Sequence, residues 1–460
     1  MKILLTVHQF FPDYYSGTEV LARDTGLEML SRGHEVHVLT VDPKNDRAKT
    51  LNLSYEEYDY AGMQVHAIGL PSQRRLLDRV RDEYDNELVA RHVRQYVERL
   101  KPDVVHMFHI SRLSGSVIEV FKELNVPLVF TPTDFWAICP MRTLMKPSGE
   151  LSTGPDDISS NCLECREVER LLPKEQLPQA SSRPEFYRKI AERALAKSEN
   201  EPPGMELVRA MLSRTTFLRE HFNMVDAIFA PTKFMHHALT ANGIDQELVS
   251  LSPYGMDISR FRSGKGHRDR NGGLRLGYIG TISSHKGLHV LLEAFKNLPQ
   301  PGRVTLRICG ALDTFPSYAR KVYDLADGDP RINFAGPFPN ERIAEELSKV
   351  DVLVVPSTWY ENTPLIIYTA FATGVPVVAT NLGGMAEVVR HEENGLLFEL
   401  GDLEDLTRQL KRLIDEPELL TNLKNNAGNV RTVEDSVDEM LALYERLFAR
   451  RESPTGRAGA

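Results

Sequence analysis

Two short stretches hold the side chains best placed to do chemistry. In GYIGTISSHKG, residues 277–287, an apolar strand ends at Gly280, a polar loop follows, and Lys286-Gly287 opens a helix. A helix start presents free N–H groups and partial positive charge, so phosphate is its natural ligand, and a lysine there adds a full charge. The plain alternative is a solvated lysine at an ordinary helix start. In WYENTPLIIYTAFATG, residues 359–374, one carboxylate, Glu361, stands between a buried strand, VLVVPS, and a helix expected to begin at Pro364, since proline is favoured in the first helical position. On its own Glu361 could be a helix-start charge worth about 0.3–1 kcal/mol. The construction recurs in TNLGGMAEVV, where Gly384 precedes a third helix. Starts at Lys286, Pro364 and Gly384 that met in one cleft would suit a ligand with several phosphates, such as a nucleoside diphosphate.

Other candidates are less specific. Cys139, Cys162 and Cys165 cluster in CPMRTLMKPSGELSTGPDDISSNCLEC; structural zinc wants four N or S ligands, so a fourth would come from His106 or His109. Free thiols or a reversible disulfide are the alternatives, and Cys309, in the apolar VTLRIC, reads as a buried thiol. His109 lies near a strand end, facing a cleft or packed in the core. The first loop, PDYYSGTE, has one glycine, Gly17, and neither it nor YIGTIS carries the G-x-G-x-x-G fingerprint, which disfavours a dinucleotide cofactor. A Walker loop is also absent. MLSRTTFLREHF, residues 211–222, mixes basic and aromatic residues; it would touch a membrane or, more simply, pack on the N-terminal sheet.

The elements that must position these residues alternate strand and helix. KILLTV, VHVLT, PDVVHMFHI, PLVFTP and AIFAPT read as strands of one sheet, and LRLGYIG, VTLRICG, INFAG, DVLVVPS, VPVVAT and GLLFEL as strands of a second. Such alternation implies parallel, doubly wound sheets that bind ligands at the carboxyl ends of their strands. The pattern breaks over about 131–223, with helices near 184–197 and 204–221. The expected organisation is an N-terminal domain over 1–258, a linker over 259–273, a C-terminal domain over 274–432, a helix over 433–449 able to pack back on the N-terminal domain, and a disordered tail over 450–460. The 460 residues carry a net charge of -9 and are 42% hydrophobic, which is ordinary globular composition and lacks the basic footprint of nucleic-acid binders. The opening apolar run is shorter than the roughly 7–15 residues of a signal-peptide core, and no run nears the roughly 18 of a spanning helix. The expectation is a soluble, cytoplasmic chain.

HQFFPDYYSGTE, SRGHEVHVLT, PDVVH, APTKF, PYGMDISRF, GYIGTISSHKGLHVLLEAF, INFAGPF, DVLVVPSTWYENTPL, AFATGVPVVATNLGGMAEVV and ENGLLF occur in that order. Together they resemble the family 4 glycosyltransferases, retaining enzymes of the GT-B fold, in which two Rossmann-like domains face each other across a cleft. The resemblance implies transfer of a sugar from a nucleotide-sugar donor to a glycan, lipid-linked or small-molecule acceptor, with no metal required and polysaccharide biosynthesis as the setting. It implies that Lys286 neutralises the leaving diphosphate, Glu361 binds donor-sugar hydroxyls, and Thr363, Pro364 and Leu365 supply backbone contacts. Gly17, Gly280 and Thr281 would approach the diphosphate, Gly336 and Phe338 the base, and Asp134 would act near the reacting centre. A lipid-linked acceptor would be met at the inner face of the membrane.

Three positions depart from the family pattern. Thr281 stands where an arginine is common, Thr133 where a histidine often precedes Asp134, and Thr369 where a second glutamate usually holds the ribose. They motivate a second reading, a glycosyltransferase-like binding or scaffold subunit with weakened chemistry.

Overall fold

A computed structural model of the chain describes residues 1–44, 52–71, 75–197, 201–259, 273–299, 304–428 and 430–452. Most of the expected linker, 260–272, and of the tail, 453–460, lies outside the described residues. The chain divides into two units, Met1–Tyr254 with Glu434–Ala460, and Gly255–Val433.

The first unit is built on eight strands: β1 (Lys2–Thr6), β2 (Glu35–Val41), β3 (Ser54–Tyr60), β4 (Met63–Gly69), β5 (Val104–Met107), β6 (Leu128–Phe130), β7 (Ala227–Ala230) and β8 (Val249–Leu251). Their order is β3-β4-β2-β1-β5-β6-β7-β8, and only the β3–β4 pair is antiparallel. β1 is apolar and buried from Ile3 to Thr6, as a strand covered on both faces must be. Helix Glu87–Leu100 shows why these segments fold as they do. Asn86 caps it by accepting the Val89 N–H at 3.1 Å, Val89, Val93, Tyr96 and Val97 form its buried face, and Lys101 ends it at φ 51°.

The insertion folds as a helical layer. Helices Ser160–Cys165, Arg183–Leu195 and Met205–Phe222 share a core of Leu163, Tyr187, Ile190, Val208 and Met211, joined by Val80 of helix Leu76–Asp82. Of the basic–aromatic segment 211–222, Met211 and Leu212 join this helical core, while Phe217 packs on Tyr84 and Phe222 on Phe130 of β6, at ring distances of 5.3 and 4.6 Å. The segment thus meets the sheet at Phe222, while helices Leu76–Asp82 and Arg183–Leu195 both pack on the helix that carries it. Helix Val433–Glu452 belongs to the first unit, where the Tyr444 hydroxyl bonds His106 on β5.

The second unit has six strands, β9 (Leu274–Ile279), β10 (Val304–Cys309), β11 (Ile332–Phe334), β12 (Val352–Val355), β13 (Val377–Thr380) and β14 (Gly395–Phe398). They run parallel in the order β11-β10-β9-β12-β13-β14. This order reverses direction between β9 and β12, and such a switch point is where open α/β sheets leave a crevice for ligand. The first unit has its own reversal between β1 and β5. Among the described residues no helix is long and apolar enough to cross a membrane.

Candidate functional site

The loops after β9 and β12, the two strands at the switch point, are in close contact. Gly287, at φ 71°, begins helix Leu288–Lys296, and a Cβ there would lie 1.8 Å from the Pro356 carbonyl oxygen. Only glycine fits both the left-handed backbone and that approach. The Thr358 N–H donates to the His285 carbonyl at 2.8 Å, tying the loops a second time. The loop after β13 closes in as well: the Gly384 N–H donates to the Glu361 carbonyl at 2.9 Å, and a Cβ on Gly384 would stand 1.6 Å from the Asn362 oxygen. The three helix starts singled out by sequence therefore meet.

Glu361 is 6% exposed at the centre of this junction. Its Oε1 accepts from Lys286 Nζ at 2.6 Å, Ser357 Oγ at 2.8 Å and Trp359 Nε1 at 2.9 Å, and none of these bonds uses Oε2. Lys286 Nζ also lies 5.2 Å from the centre of the Trp359 ring, a cation–π contact that holds the ammonium from a second side. A buried carboxylate must be paired and hydrogen-bonded to remain charged, and here one oxygen is saturated while the other keeps its lone pairs. His285, edge-on to Trp359, has its pKa lowered by burial and then by Lys286, with Glu361 opposing, so it is neutral beside the pair. Ser357 and Trp359 were not anticipated as site residues. Their signal was their place within four residues of Glu361 at the same strand end.

The other expected donor-side residues spread along the same sheet edge. Thr363, Pro364 and Leu365 form the start of helix Leu365–Ala372, with Pro364 capping it rather than occupying its first position. Its ψ of 114° is extended, so helical geometry starts one residue later. Gly280 and Gly336 are linked through Gly310, whose N–H donates to the Gly336 carbonyl at 3.2 Å and whose added Cβ would lie 2.3 Å from the Gly280 oxygen. Phe338 is half-buried two residues on, and Thr281 is exposed. Thr369 is 4% exposed, and its hydroxyl donates to the Leu365 carbonyl at 2.9 Å. Its one proton is spent on the helix backbone, a common habit of helical threonine.

Gly17 and Asp134 lie in the first unit, Gly17 after β1 and Asp134 after β6. Gly17 begins helix Gly17–Ser31, and the next residue, Thr18, donates to the Thr133 hydroxyl at 2.9 Å. Asp134 Oδ2 accepts from His109 Nε2 at 2.8 Å, and Oδ1 accepts the Trp136 N–H at 2.8 Å. Burial would raise the Asp134 pKa, but His109, Arg142 and the Trp136 N–H outweigh it and hold it low. His109 Nδ1 accepts the Ser111 N–H at 3.0 Å, which assigns the ring proton to Nε2. His8 packs against His109, tilted by 44° at a centroid distance of 4.4 Å, with Nε2 3.6 Å from Oε1 of the fully buried Glu19. His8 and Glu19 escaped sequence reading because their contacts join the loop after β1 to helix Gly17–Ser31 and to the loop after β5.

The zinc expectation finds no ligand set. Cys139, Cys162 and Cys165 are free thiols lining one small cavity, and burial followed by the neighbouring sulfurs pushes Cys162 up to about 12 and Cys165 up to about 11. Both histidines proposed as a fourth ligand are engaged elsewhere, His109 as above and His106 with Tyr444 and Thr131. Among the described residues no group of three or more His, Cys, Asp or Glu is arranged to hold a metal ion.

Comparison with known proteins agrees with this architecture. Residues 262–430 match the family model for glycosyl transferases group 1, and residues 16–154 match that for a glycosyl transferase 4-like domain. The exopolysaccharide phosphotransferase SCO2592 of Streptomyces coelicolor is 35% identical over 170 residues, 36% of this chain and 18% of the relative. The capsular polysaccharide biosynthesis glycosyltransferase CapM of Staphylococcus aureus is 25% identical over 239 residues, 48% of this chain and 61% of the relative. The match thus spans less than two thirds of either relative. Among solved structures, sucrose-phosphate synthase from Thermosynechococcus elongatus aligns with a TM-score of 0.66 at 17% identity, covering 97% of this chain and 99% of that one. Anabaena Alr3699/HepE, solved with UDP and glucose, aligns with a TM-score of 0.62 at 17% identity over 97% and 99% of the two chains. At such identities the structures establish the fold, two parallel-sheet α/β domains of GT-B type. With two family models together matching more than half of its length, the chain belongs to the type 4 glycosyltransferase family.

Proposed function

We propose that the protein is a retaining glycosyltransferase that takes a sugar from a nucleotide-sugar donor, bound on the second unit, and passes it to a sugar or lipid-linked acceptor without a metal. The observation that carries this reading is the Lys286–Glu361 pair at the β9/β12 switch point, with Glu361 Oε2 left out of the bonds that fix Oε1. A donor's diphosphate would draw Lys286 off the carboxylate, aided by the start of helix Leu288–Lys296. Glu361, still held by Ser357 and Trp359, would accept hydroxyls of the sugar. The charge that grows on the departing diphosphate is then met by groups fixed beforehand, the arrangement that lowers such barriers most. Gly336 and Phe338 would meet the base, and Asp134, steadied by His109, would act at the acceptor side. UDP and glucose in the Anabaena relative support a nucleotide-sugar ligand. CapM and its capsular setting support a polysaccharide acceptor.

The binding-only reading is weaker, since Lys286 and Glu361 are both present and paired. The test is turnover with UDP-, GDP- and ADP-sugars and varied acceptors, with the anomeric configuration of the product read by NMR. Transfer with retention, lost in Lys286→Ala, is expected; a folded protein that binds no nucleoside diphosphate would overturn the reading.

A further inference from the structure

The first unit holds a cavity of about 260 Å³ at the carboxyl ends of β1 and β2, walled by β3 and β4. Its volume is that of on the order of eight or nine waters, room for one small ring rather than a drug-sized ligand. Phe10 and Thr40 form the buried floor, at 3% and 2% exposure. Asp13, Asp42 and Glu56 contribute carboxylates to the wall, and Tyr58 an aromatic side chain.

Two features show that this hole is built for a polar guest. The Thr40 hydroxyl oxygen is buried and has no hydrogen-bond partner among the described residues. A buried hydroxyl left that way costs free energy until something bonds it. The charge of the lining is also one-sided. Lys44 Nζ pairs with Asp13 Oδ1 at 2.6 Å, which neutralises one carboxylate, while among the described residues neither Asp42 nor Glu56 is in an ion pair. Tyr58, whose hydroxyl donates to the Phe11 carbonyl at 2.6 Å, has its pKa raised by burial and then by Asp42, Glu56 and Asp13.

Resting on the glycosyltransferase reading above, we propose that this cavity is an acceptor subsite for a single uncharged or amine-bearing sugar ring, and that it rejects phosphorylated and uronic rings. Carboxylates accept hydroxyl and ammonium protons, and the Phe10 and Tyr58 rings cover the apolar C–H face of a sugar. These two carboxylates, of which Asp42 also accepts the Lys44 N–H at 2.8 Å, repel a bound anion, so selectivity comes from repulsion as much as from attraction.

The experiment is direct binding to the full chain without donor, by saturation-transfer NMR. The probes are the methyl glycosides of glucose, galactose and mannose, their 2-amino forms and their 6-phosphates. At least one neutral or amino ring is expected to bind at least tenfold more tightly than its 6-phosphate. Asp42→Asn with Glu56→Gln should shrink that preference to less than threefold. Thr40→Val should weaken the neutral ring while leaving the preference intact. Equal or tighter binding of the 6-phosphates, no binding by any ring, or an unchanged preference in the double variant overturns the proposal. UDP, GDP and ADP titrated into the same samples separate the two readings. Nucleotide binding without ring binding sinks this subsite alone, and ring binding without nucleotide binding sinks the transferase reading.

Discussion

Replacing Glu361 by glutamine should move nucleotide binding and sugar transfer in opposite directions. In the free protein Lys286 is 2.6 Å from the Glu361 carboxylate, with side-chain exposures of 27% and 8%. Two unit charges about 4 Å apart at an effective dielectric near 20 attract by about 4 kcal/mol. The quarter-exposed lysine is screened by solvent, which brings the net value nearer 1 kcal/mol. A diphosphate must compete with that attraction, so Glu361→Gln should tighten a bare nucleoside diphosphate by about fivefold. The glutamine oxygen still accepts from Ser357 and Trp359, so the junction keeps its shape. Donor hydroxyls lose a charged acceptor worth about 1.5–3 kcal/mol, and kcat/KM should fall by about 10- to 100-fold. Calorimetry with UDP, GDP and ADP measures the first effect and steady-state transfer the second. If diphosphate affinity falls in step with turnover, Glu361 aims Lys286 at the phosphates rather than competing with them, and the reasoning fails.

Three further outcomes are expected. Gly384→Ala forces a Cβ against the Asn362 carbonyl and should destabilise the second unit by at least about 3 kcal/mol; Gly428→Ala, which meets nothing within 4 Å, is the control in the same thermal melt. Thr369→Val should change nucleoside-diphosphate affinity by less than threefold in calorimetry, because the hydroxyl proton is already given to Leu365. His106 is buried and its pKa is lowered to about 3 by desolvation, so the folded state holds it neutral while the unfolded chain protonates it near 6.5. The unfolded state binds more protons between those values, and stability of the first unit should drop as pH falls from 6.5 towards 3, by up to about 1.4 kcal/mol per pH unit from this group. His106→Gln should flatten that slope in urea melts.

Much of the second unit was legible because its strands are short apolar runs that each end in a glycine or polar loop before a helix. Lys286 and Glu361 stood out at such ends. Their pairing did not, because it depends on β9 lying beside β12, a neighbour relation between segments 75 residues apart that no local pattern encodes. The same holds for His109 and Asp134, which meet only because β5 pairs with β6. The β3–β4 hairpin was missed for a different reason. SYEEYDY is a largely exposed edge strand without apolar alternation, and its turn uses Ala61 and Gly62 at φ 53° and 90° instead of the Asn-Gly that marks such turns. Thr369 lies one turn past the start of helix Leu365–Ala372, and spacing from Glu361 cannot tell whether a hydroxyl faces a ligand or its own backbone.

The most direct measurement is a calorimetric titration of UDP, GDP and ADP into the full chain and into Lys286→Ala. One nucleotide should bind the unaltered protein, and the variant should weaken it at least tenfold. Binding of none, or equal binding to both proteins, would contradict a donor site at the β9/β12 switch point.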